Sequence, residues 1–143
     1  MHLSRKAALA MVASTTTALF VGGAGTAQAA GDLYGAIAVG DDGYYYSFGT
    51  AWNYTDQGGA DAAAVHECGV SNCYVKVRFV NGCAAIANRD GNLFTGIGRT
   101  KAMAESNAIA ASGTSPNPLL VSLGSAEPSE VHISESQCTG NAG

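Results

Sequence analysis

GAIAVGDDG at residues 35–43 is the stretch that decides how this chain folds, because its pattern returns once, as AAIANRDG at residues 84–91. In both copies a run of small apolar residues is followed by Asp-Gly. This dipeptide favours a hairpin turn, since glycine accepts the positive φ that such turns need. The doubled pattern therefore predicts two hairpins that begin with the same kind of strand.

Each predicted hairpin is followed by a returning strand, at residues 44–48 and 92–95, and then by a segment with helical periodicity. Asp56 and Thr100 stand at the predicted N-caps, where a side-chain oxygen can accept from free backbone N–H groups. Small residues at every fourth position place one stripe on each helix. The stripes are Ala60, Ala64 and Cys68 in the first helix, and Ala104, Ala108 and Ser112 in the second. Such stripes predict helices that lie close against a sheet.

The remaining segments complete the predicted order. Residues 74–80 alternate as in a half-buried strand, and Asn81-Gly82 after them is the strongest short hairpin signal in the chain. In the second half, residues 119–123 and 131–134 are predicted to be strands. The order ββα-β-ββα-ββ predicts an α+β fold. Its two degenerate ββα-β repeats, at about residues 34–82 and 83–138, form antiparallel sheet packed by two short Ala-rich helices.

The first 29 residues have the parts of a secretory signal peptide. A basic pair at residues 5–6 precedes an uncharged apolar run at residues 7–25, and small residues at 27 and 29 suit signal peptidase. We therefore expect a secreted, extracellular protein whose mature chain is a single domain of residues 30–143. No second apolar run is long enough to cross a membrane, so we expect no membrane association after cleavage.

The segment after the leader is acidic. Two of the seven Lys and Arg residues lie in the leader, whereas all eleven Asp and Glu residues follow it, so the formal charge is −4 for the whole sequence and −6 (5 − 11) for residues 30–143. Nucleic acids and anionic membrane surfaces need clustered Lys and Arg, so the composition argues against both as partners. A segment of this length suits one small domain, which we expect to be a monomer.

Four cysteines in an exported domain indicate two disulfide bonds, for which three pairings are open. Cys68 and Cys73 both lack counterparts in the second half, where Ser112 takes the place of Cys68. Because the partners of one disulfide tend to be lost together, we pair Cys68 with Cys73, and Cys83 then pairs with Cys138. A Cys-x4-Cys spacing with no second cluster is weak support for a metal site. We expect no metal and no cofactor.

Four motifs, taken in order, resemble the domain of unknown function 4189 family. They are YGAIA at residues 34–38, the helix end at Cys68-Gly69, NGCAAIA at residues 81–87 and the helix start TKA at residues 100–102. The likeness covers about residues 34–113. Members of that family are small proteins, often exported and common in actinobacteria, with no established shared activity. The resemblance therefore implies an uncharacterised secreted protein and carries no catalytic residue onto this chain.

No catalytic constellation stands out in the sequence. His66 lies in the first predicted helix without a second histidine one turn later, so the zinc-binding His-Glu-x-x-His pattern is absent. His132 lies in a predicted strand near the tail, and no Gly-x-Ser-x-Gly nucleophile elbow occurs. A small secreted hydrolase that uses His66 or His132 is the alternative function. It requires one of these histidines to meet a nucleophile in a pocket.

Aromatic residues cluster within residues 44–54. One interpretation is that Phe48 and Trp52 fill the core. If Tyr45 and Tyr54 are exposed instead, they form with Trp52 a candidate binding patch, because Tyr and Trp offer rigid amphipathic contact area. We predict a non-catalytic binding module whose partner is an extracellular protein or a cell-wall polymer. An inhibitor of an extracellular enzyme falls within this class.

Overall fold

The computed structural model describes residues 31–114 and 117–143. The predicted signal peptide, residues 1–29, lies outside the described residues. The elements, in chain order, are β1 (Tyr34–Asp41), β2 (Tyr46–Tyr54), α1 (Gln57–Cys68), β3 (Tyr74–Val80), β4 (Cys83–Arg89), β5 (Asn92–Gly98), α2 (Lys101–Ala111), α3 (Pro118–Ser122) and β6 (Val131–Cys138). This is the predicted α+β class, with the strand-strand-helix-strand order occurring twice and α3 inserted in the second copy. Residues 31–143 form one compact unit, and no described helix is long and apolar enough to span a membrane.

The six strands form two antiparallel sheets of three strands. In sheet A β1 lies between β2 and β3, and in sheet B β4 lies between β5 and β6. The matched segments of the sequence are thus the two central strands, and they are buried over residues 35–40 and 83–87. A strand that is covered on both faces needs a continuous apolar run rather than an alternating pattern. This requirement explains why the two copies resemble each other most closely there.

The two longer helices lie very close to their sheets. Gly49 of β2 faces α1, where a Cβ atom would collide with the backbone carbonyl of Ala64. Gly96 of β5 faces α2, where a Cβ atom would collide with the backbone of Ala104 and Ala108. Alanine stripes on the helices and glycine on the strands therefore allow contact between backbones. The prediction of helices held against a sheet by small residues is confirmed in both repeats.

Larger side chains fill the space between the two sheets. Ile37 of β1 and Ile86 of β4 are fully buried there, together with Phe79 and Ala84. The molecule therefore has four layers, in the order α1, sheet A, sheet B and α2. Strand β2 contacts β6 and strand β3 contacts β5, so each outer strand faces an outer strand of the other repeat. These contacts are the ones that a two-fold relation between the repeats would produce.

The helix ends follow the sequence signals. Asp56 accepts a hydrogen bond from the N–H group of Gly59, and Thr100 accepts one from that of Met103. Both interactions are the N-caps that the sequence predicts. Beyond the first helix, Gly69 has a φ of 76°, the left-handed conformation that ends helices and that glycine adopts at least cost.

The predicted hairpin at Asn81-Gly82 was wrong. Strand β3 pairs with β1, whereas β4 pairs with β5 and β6, so the dipeptide carries the chain from one sheet to the other. Asn81 still adopts a positive φ of 48°. Its side-chain Oδ1 accepts from the backbone N–H of Leu33 at 2.9 Å and from the side chain of Asn141 at 2.7 Å. The crossover is therefore held by both ends of the compact unit.

The predicted strand at residues 119–123 was also wrong, because residues 118–122 form the helix α3. Asn117 caps α3 by accepting from the N–H of Leu119 at 2.9 Å. Pro118 suits the first helical position, since it lacks the N–H group that would have no partner there. The last strand, β6, starts at Val131 as predicted but continues to Cys138. It occupies in sheet B the place that β3 occupies in sheet A.

The two disulfide bonds join the predicted pairs. Cys68 at the end of α1 is bonded to Cys73, which precedes β3. Cys83 at the start of β4 is bonded to Cys138 at the end of β6. Because Cys83 and Cys138 are register partners on neighbouring strands, the second bond clamps an outer strand directly to the central strand of sheet B.

Candidate functional site

The turn between β1 and β2 holds two tyrosines out in solvent, with Tyr44 90% and Tyr45 78% exposed. The N–H group of Gly43 donates to Asp41 Oδ1 at 2.6 Å. Those of Tyr44 and Tyr45 donate to Asp42 Oδ1 at 2.9 and 2.7 Å. The hydrogen bond from Tyr45, followed by that from Tyr44, lowers the pKa of Asp42 below its ordinary value. Two aspartates thus hold the backbone that carries both tyrosines.

Trp52 and Tyr54 lie at the other end of β2, next to α1. Their exposed fractions are 44% and 38%. Together with Thr50, Ala63 and Glu67, they line an open pocket of about 230 Å³. The lining residues thus include two aromatic rings, the hydroxyl groups of Thr50 and Tyr54, and the carboxylate of Glu67.

A β-bulge shapes the end of β2 that carries these rings. Tyr34 pairs with Tyr54 but Ala36 pairs with Ala51, so β2 contains one extra residue in this interval. Asn53 within it has a φ of 63°, and its Oδ1 accepts from the N–H of Gly140 at 2.6 Å. Bulges bend a strand and redirect its side chains. The tail after β6 therefore helps to hold the strand that carries Trp52 and Tyr54.

The structure does not bring the predicted patch of Tyr45, Trp52 and Tyr54 together. Tyr45 precedes β2, whereas the other two residues lie near its end. At about 3.3 Å per residue, Tyr45 and Trp52 are roughly 20 Å apart along the strand. The interpretation in which Trp52 and Phe48 both fill the core was wrong for Trp52, while Phe48 packs between the sheets. The three residues of the predicted patch therefore lie in two separate regions of the surface.

His66 and His132 lie in different layers of the molecule. His66 is exposed on α1, outside sheet A, and His132 is exposed on β6 of sheet B, where it pairs with Asn88. Because sheet A lies between α1 and sheet B, the two histidines do not converge on one cleft. Within residues 31–114 and 117–143, no group of three or more His, Cys, Asp or Glu side chains is placed to hold a metal ion.

A second pocket, of about 320 Å³, opens where the chain crosses between the sheets. It is lined by residues 78–83 and 97–99, which include Arg78 and Arg99. The sequence does not predict this pocket, because an Asn81-Gly82 hairpin would place β3 beside β4 in one sheet. The sequence offers only a weak signal for the pocket: two of the five basic residues in residues 30–143 lie beside apolar strand ends.

Comparisons with known proteins place the chain in a family. A family model described as a domain of unknown function, DUF4189, matches residues 34–117. Protein Rv1269c of Mycobacterium tuberculosis and Protein Mb1300c of Mycobacterium bovis are each 40% identical to the chain over 80 residues. This match covers 56% of the chain and 61% of each relative, so the chain spans less than two thirds of the relatives' length. No solved structure matches the chain.

Proposed function

The chain belongs to the DUF4189 family, a domain of unknown function, and from its own surface we propose that it is a secreted, non-catalytic binding module for a cell-wall polysaccharide. The observation that carries this proposal is the pocket at the outer edge of β2. There Trp52 and Tyr54 lie exposed beside Thr50 and Glu67. Secretion is supported by the signal pattern of residues 1–29 and by two disulfides, which persist in oxidising compartments.

The chemistry of the pocket suits a sugar. A pyranose ring presents apolar C–H groups on its face and hydroxyl groups around its edge. The rings of Trp52 and Tyr54 offer flat apolar surface with a polar group at the edge of each ring. The carboxylate of Glu67 and the hydroxyl group of Thr50 can form hydrogen bonds with sugar hydroxyls. The four side chains therefore provide both kinds of contact that a sugar residue needs.

The size of the pocket favours one unit of a polymer over a free small molecule. Its volume of about 230 Å³ is below the roughly 300–1,000 Å³ of typical small-molecule sites. A polysaccharide can gain affinity from several such open contacts along its length. The pocket lies on an edge strand held by α1 and by the bulge at Asn53, so little ordering is needed on binding.

The hydrolase alternative lacks support from the arrangement of the histidines. Catalysis would need a base within hydrogen-bond reach of a nucleophile in a pocket. Neither His66 nor His132 lines the pocket formed by Trp52 and Tyr54 or the pocket at the crossover. The binding function therefore requires no catalytic role for either histidine.

The test is cosedimentation of residues 30–143 with purified, insoluble bacterial cell-wall polysaccharide, with cellulose as an unrelated polymer. We expect binding to the wall material. Combining Trp52→Ala and Tyr54→Ala should lower the affinity about tenfold, because both rings that contact the sugar are lost. This loss corresponds to about 1.4 kcal/mol. Both residues are more than a third exposed, so we expect the double variant to fold, which circular dichroism checks.

Tyr45→Ala is the matched control, since it removes an exposed tyrosine in the turn just before the far end of β2. This variant should bind the wall material as the unchanged protein does. The proposal fails if the unchanged protein does not sediment with the polysaccharide. It also fails if Tyr45→Ala abolishes sedimentation while the double variant retains it, a result that would assign binding to the β1–β2 turn.

A further inference from the structure

We propose that the pocket at the crossover between the sheets is a separate site, which binds a small monocarboxylate with a short apolar body. This site is independent of the proposed polysaccharide surface and shares no lining residue with it. Its volume of about 320 Å³ lies at the lower end of the roughly 300–1,000 Å³ range of small-molecule sites. A short ligand is therefore the appropriate class.

The pocket lies between the end of β3, the crossover and the end of β5. The chain leaves β3 for the other sheet through Asn81 and Gly82, while β5 ends at Gly98. In the described part of the chain, no hydrogen bond joins residues 78–80 to residues 97–99. On the opposite side of the sandwich, β2 is held to the tail after β6 by the hydrogen bond from Gly140 to Asn53. The tail also holds Asn81 and Gly82 at the crossover, but no described hydrogen bond joins the end of β3 to the end of β5 across the pocket.

Apolar side chains stand at the mouth of this opening. Val80 is 48% exposed and Ile97 is 56% exposed, although both lie in strands. Phe79 and Cys83, which also line the pocket, are buried. A ligand with an apolar body would remove these valine and isoleucine surfaces from water, which favours binding.

The charged side chains that line the pocket determine which polar group of a ligand it can bind. Arg78 donates from Nε to both carboxylate oxygens of Asp61, at 2.9 and 3.1 Å, so Asp61 balances its charge. Arg99 is exposed and forms no ion pair with any residue that the structure describes. A guanidinium group matches a carboxylate by two parallel hydrogen bonds.

One unbalanced cation favours a monoanion. A dianion would carry a second charge with no cation to match it, and Asp61 beside Arg78 would repel that charge. The surrounding chain has an excess of acid, with a formal charge of −6 (5 − 11) over residues 30–143. Arg99 is therefore the residue expected to draw a carboxylate to this surface, and Val80 and Ile97 are expected to contact its apolar part.

The experiment is a titration of ¹⁵N-labelled residues 30–143, followed by NMR, with 4-phenylbutyrate and with its neutral amide, 4-phenylbutanamide. The acid should shift the amide signals of residues 79–83 and 97–99 and saturate at millimolar concentration. The neutral amide should bind at least about fivefold more weakly than the acid. Arg99→Gln should weaken binding of the acid about fivefold and leave binding of the amide unchanged, because it removes the guanidinium group and keeps the apolar lining.

Lys101→Gln is the matched control, since it removes the same charge two residues away and outside the pocket lining. It should leave both titrations unchanged. Ile97→Thr keeps Arg99 and removes apolar contact, so both ligands should bind more weakly to it. The proposal is overturned if the acid causes no saturable shifts at these residues, if acid and amide bind equally, or if Lys101→Gln weakens the acid as much as Arg99→Gln does.

Discussion

The two halves of the molecule build the same unit but attach its third strand in different ways. In the first half a short link joins α1 to β3, and the Cys68–Cys73 bond closes that link. In the second half a long link that contains α3 joins α2 to β6. Ser112 stands at the position of Cys68, and its hydroxyl donates to the carbonyl of Ile109. The second disulfide lies instead between the strands themselves, at Cys83 and Cys138.

This difference shows where a crosslink stabilises such a unit most. A short link leaves the third strand little freedom, so a bond within that link removes little further entropy from the unfolded chain. A long link allows the strand to move far from its sheet, and the entropic cost of bringing it back grows with the number of residues enclosed. The Cys83–Cys138 bond, at the far end of β6, therefore removes more entropy from the unfolded chain than the Cys68–Cys73 bond does.

The helices contact their third strands through acids at matching positions. Asp61 of α1 forms an ion pair with Arg78 of β3, with 2.9 Å between Oδ2 and Nε. Glu105 of α2 accepts a hydrogen bond from the hydroxyl of Ser136 of β6 at 2.9 Å. The repeat therefore retains the placement of the acid while the chemistry of its partner differs. The same difference leaves the first half with a paired arginine at the edge of the crossover pocket.

Removing the disulfides one at a time should give the largest difference between the halves. Replacing Cys83 and Cys138 by alanine opens a crosslink between positions 55 residues apart and should lower the free energy of unfolding by about 4 kcal/mol. Replacing Cys68 and Cys73 opens a separation of 5 residues and should cost about 2 kcal/mol. Urea unfolding followed by circular dichroism measures both values. Equal losses would contradict the explanation by link length.

Adding one methyl group under each helix tests whether the halves are packed alike. Gly49→Ala and Gly96→Ala should each lower the free energy of unfolding by about 2–3 kcal/mol, because the new Cβ would collide with helix backbone. Gly58→Ala is the control: its Cβ meets only Asp56 Oδ1, at 3.4 Å, and it should raise stability by about 0.5–1 kcal/mol. Thermal unfolding measures all three variants. Tolerance of alanine at Gly49 alone would show that α1 lies less close to its sheet than α2 does.

Acid should weaken the first hairpin turn, between β1 and β2, but not the second, between β4 and β5. We expect this effect on stability to be smaller than those above. The first turn depends on Asp42, whose pKa in the folded protein is lowered from the ordinary 3.8 by the N–H groups of Tyr45 and Tyr44. A lowered pKa stabilises the turn fully above 3.8, and this contribution is lost as the pH falls through the lowered value. The second turn is held by the neutral amide of Asn88, which accepts from Gly91 at 2.9 Å.

An NMR pH titration distinguishes the two turns. Below pH 3.8 the amide signals of Tyr44 and Tyr45 should move with a single acid titration, and that of Gly91 should not follow it. In Asp42→Asn the titration at Tyr44 and Tyr45 should disappear. If it persists in this variant, another carboxylate controls the first turn.

The parts of the fold that the sequence predicted correctly have causes that act over a few residues. The caps at Asp56 and Thr100 and the alanine stripes depend on neighbours within two turns of helix. The disulfide pairs followed from the comparison of the repeats, in which the loss of both Cys68 and Cys73 is visible without coordinates. The continuous apolar runs marked the central strands, because those strands are covered on both faces.

The wrong predictions concern segments whose local signals allow more than one structure. Asn81-Gly82 provides a positive φ, but the packing of two separate sheets decides whether the flanking strands pair with each other. Residues 119–123 are apolar and short, so periodicity alone does not distinguish a strand from a helix. The cap at Asn117 and the proline after it decide in favour of α3.

The candidate sites were predictable only in their residue types. The sequence indicated an exposed aromatic cluster, but its span along β2 and the bulge at Asn53 decide that Tyr45 lies apart from Trp52 and Tyr54. Glu67 of α1 lines the same pocket as these two rings, and no local sequence pattern predicts that placement. The crossover pocket depends on β3 and β5 lying in different sheets, which is a property of the whole arrangement.

The sequence by itself determined the α+β class, the doubled unit, the helix ends and the cysteine pairs, because these depend on local backbone preferences and on a repeat visible in one chain. The tertiary structure alone decided that the strands divide into two stacked sheets and that the chain crosses between them at Asn81-Gly82. It also decided which exposed side chains share a pocket. Burial of Ile37 against Ile86 between the sheets is a contact between distant parts of the chain, and the free energy of such contacts is absent from any short segment.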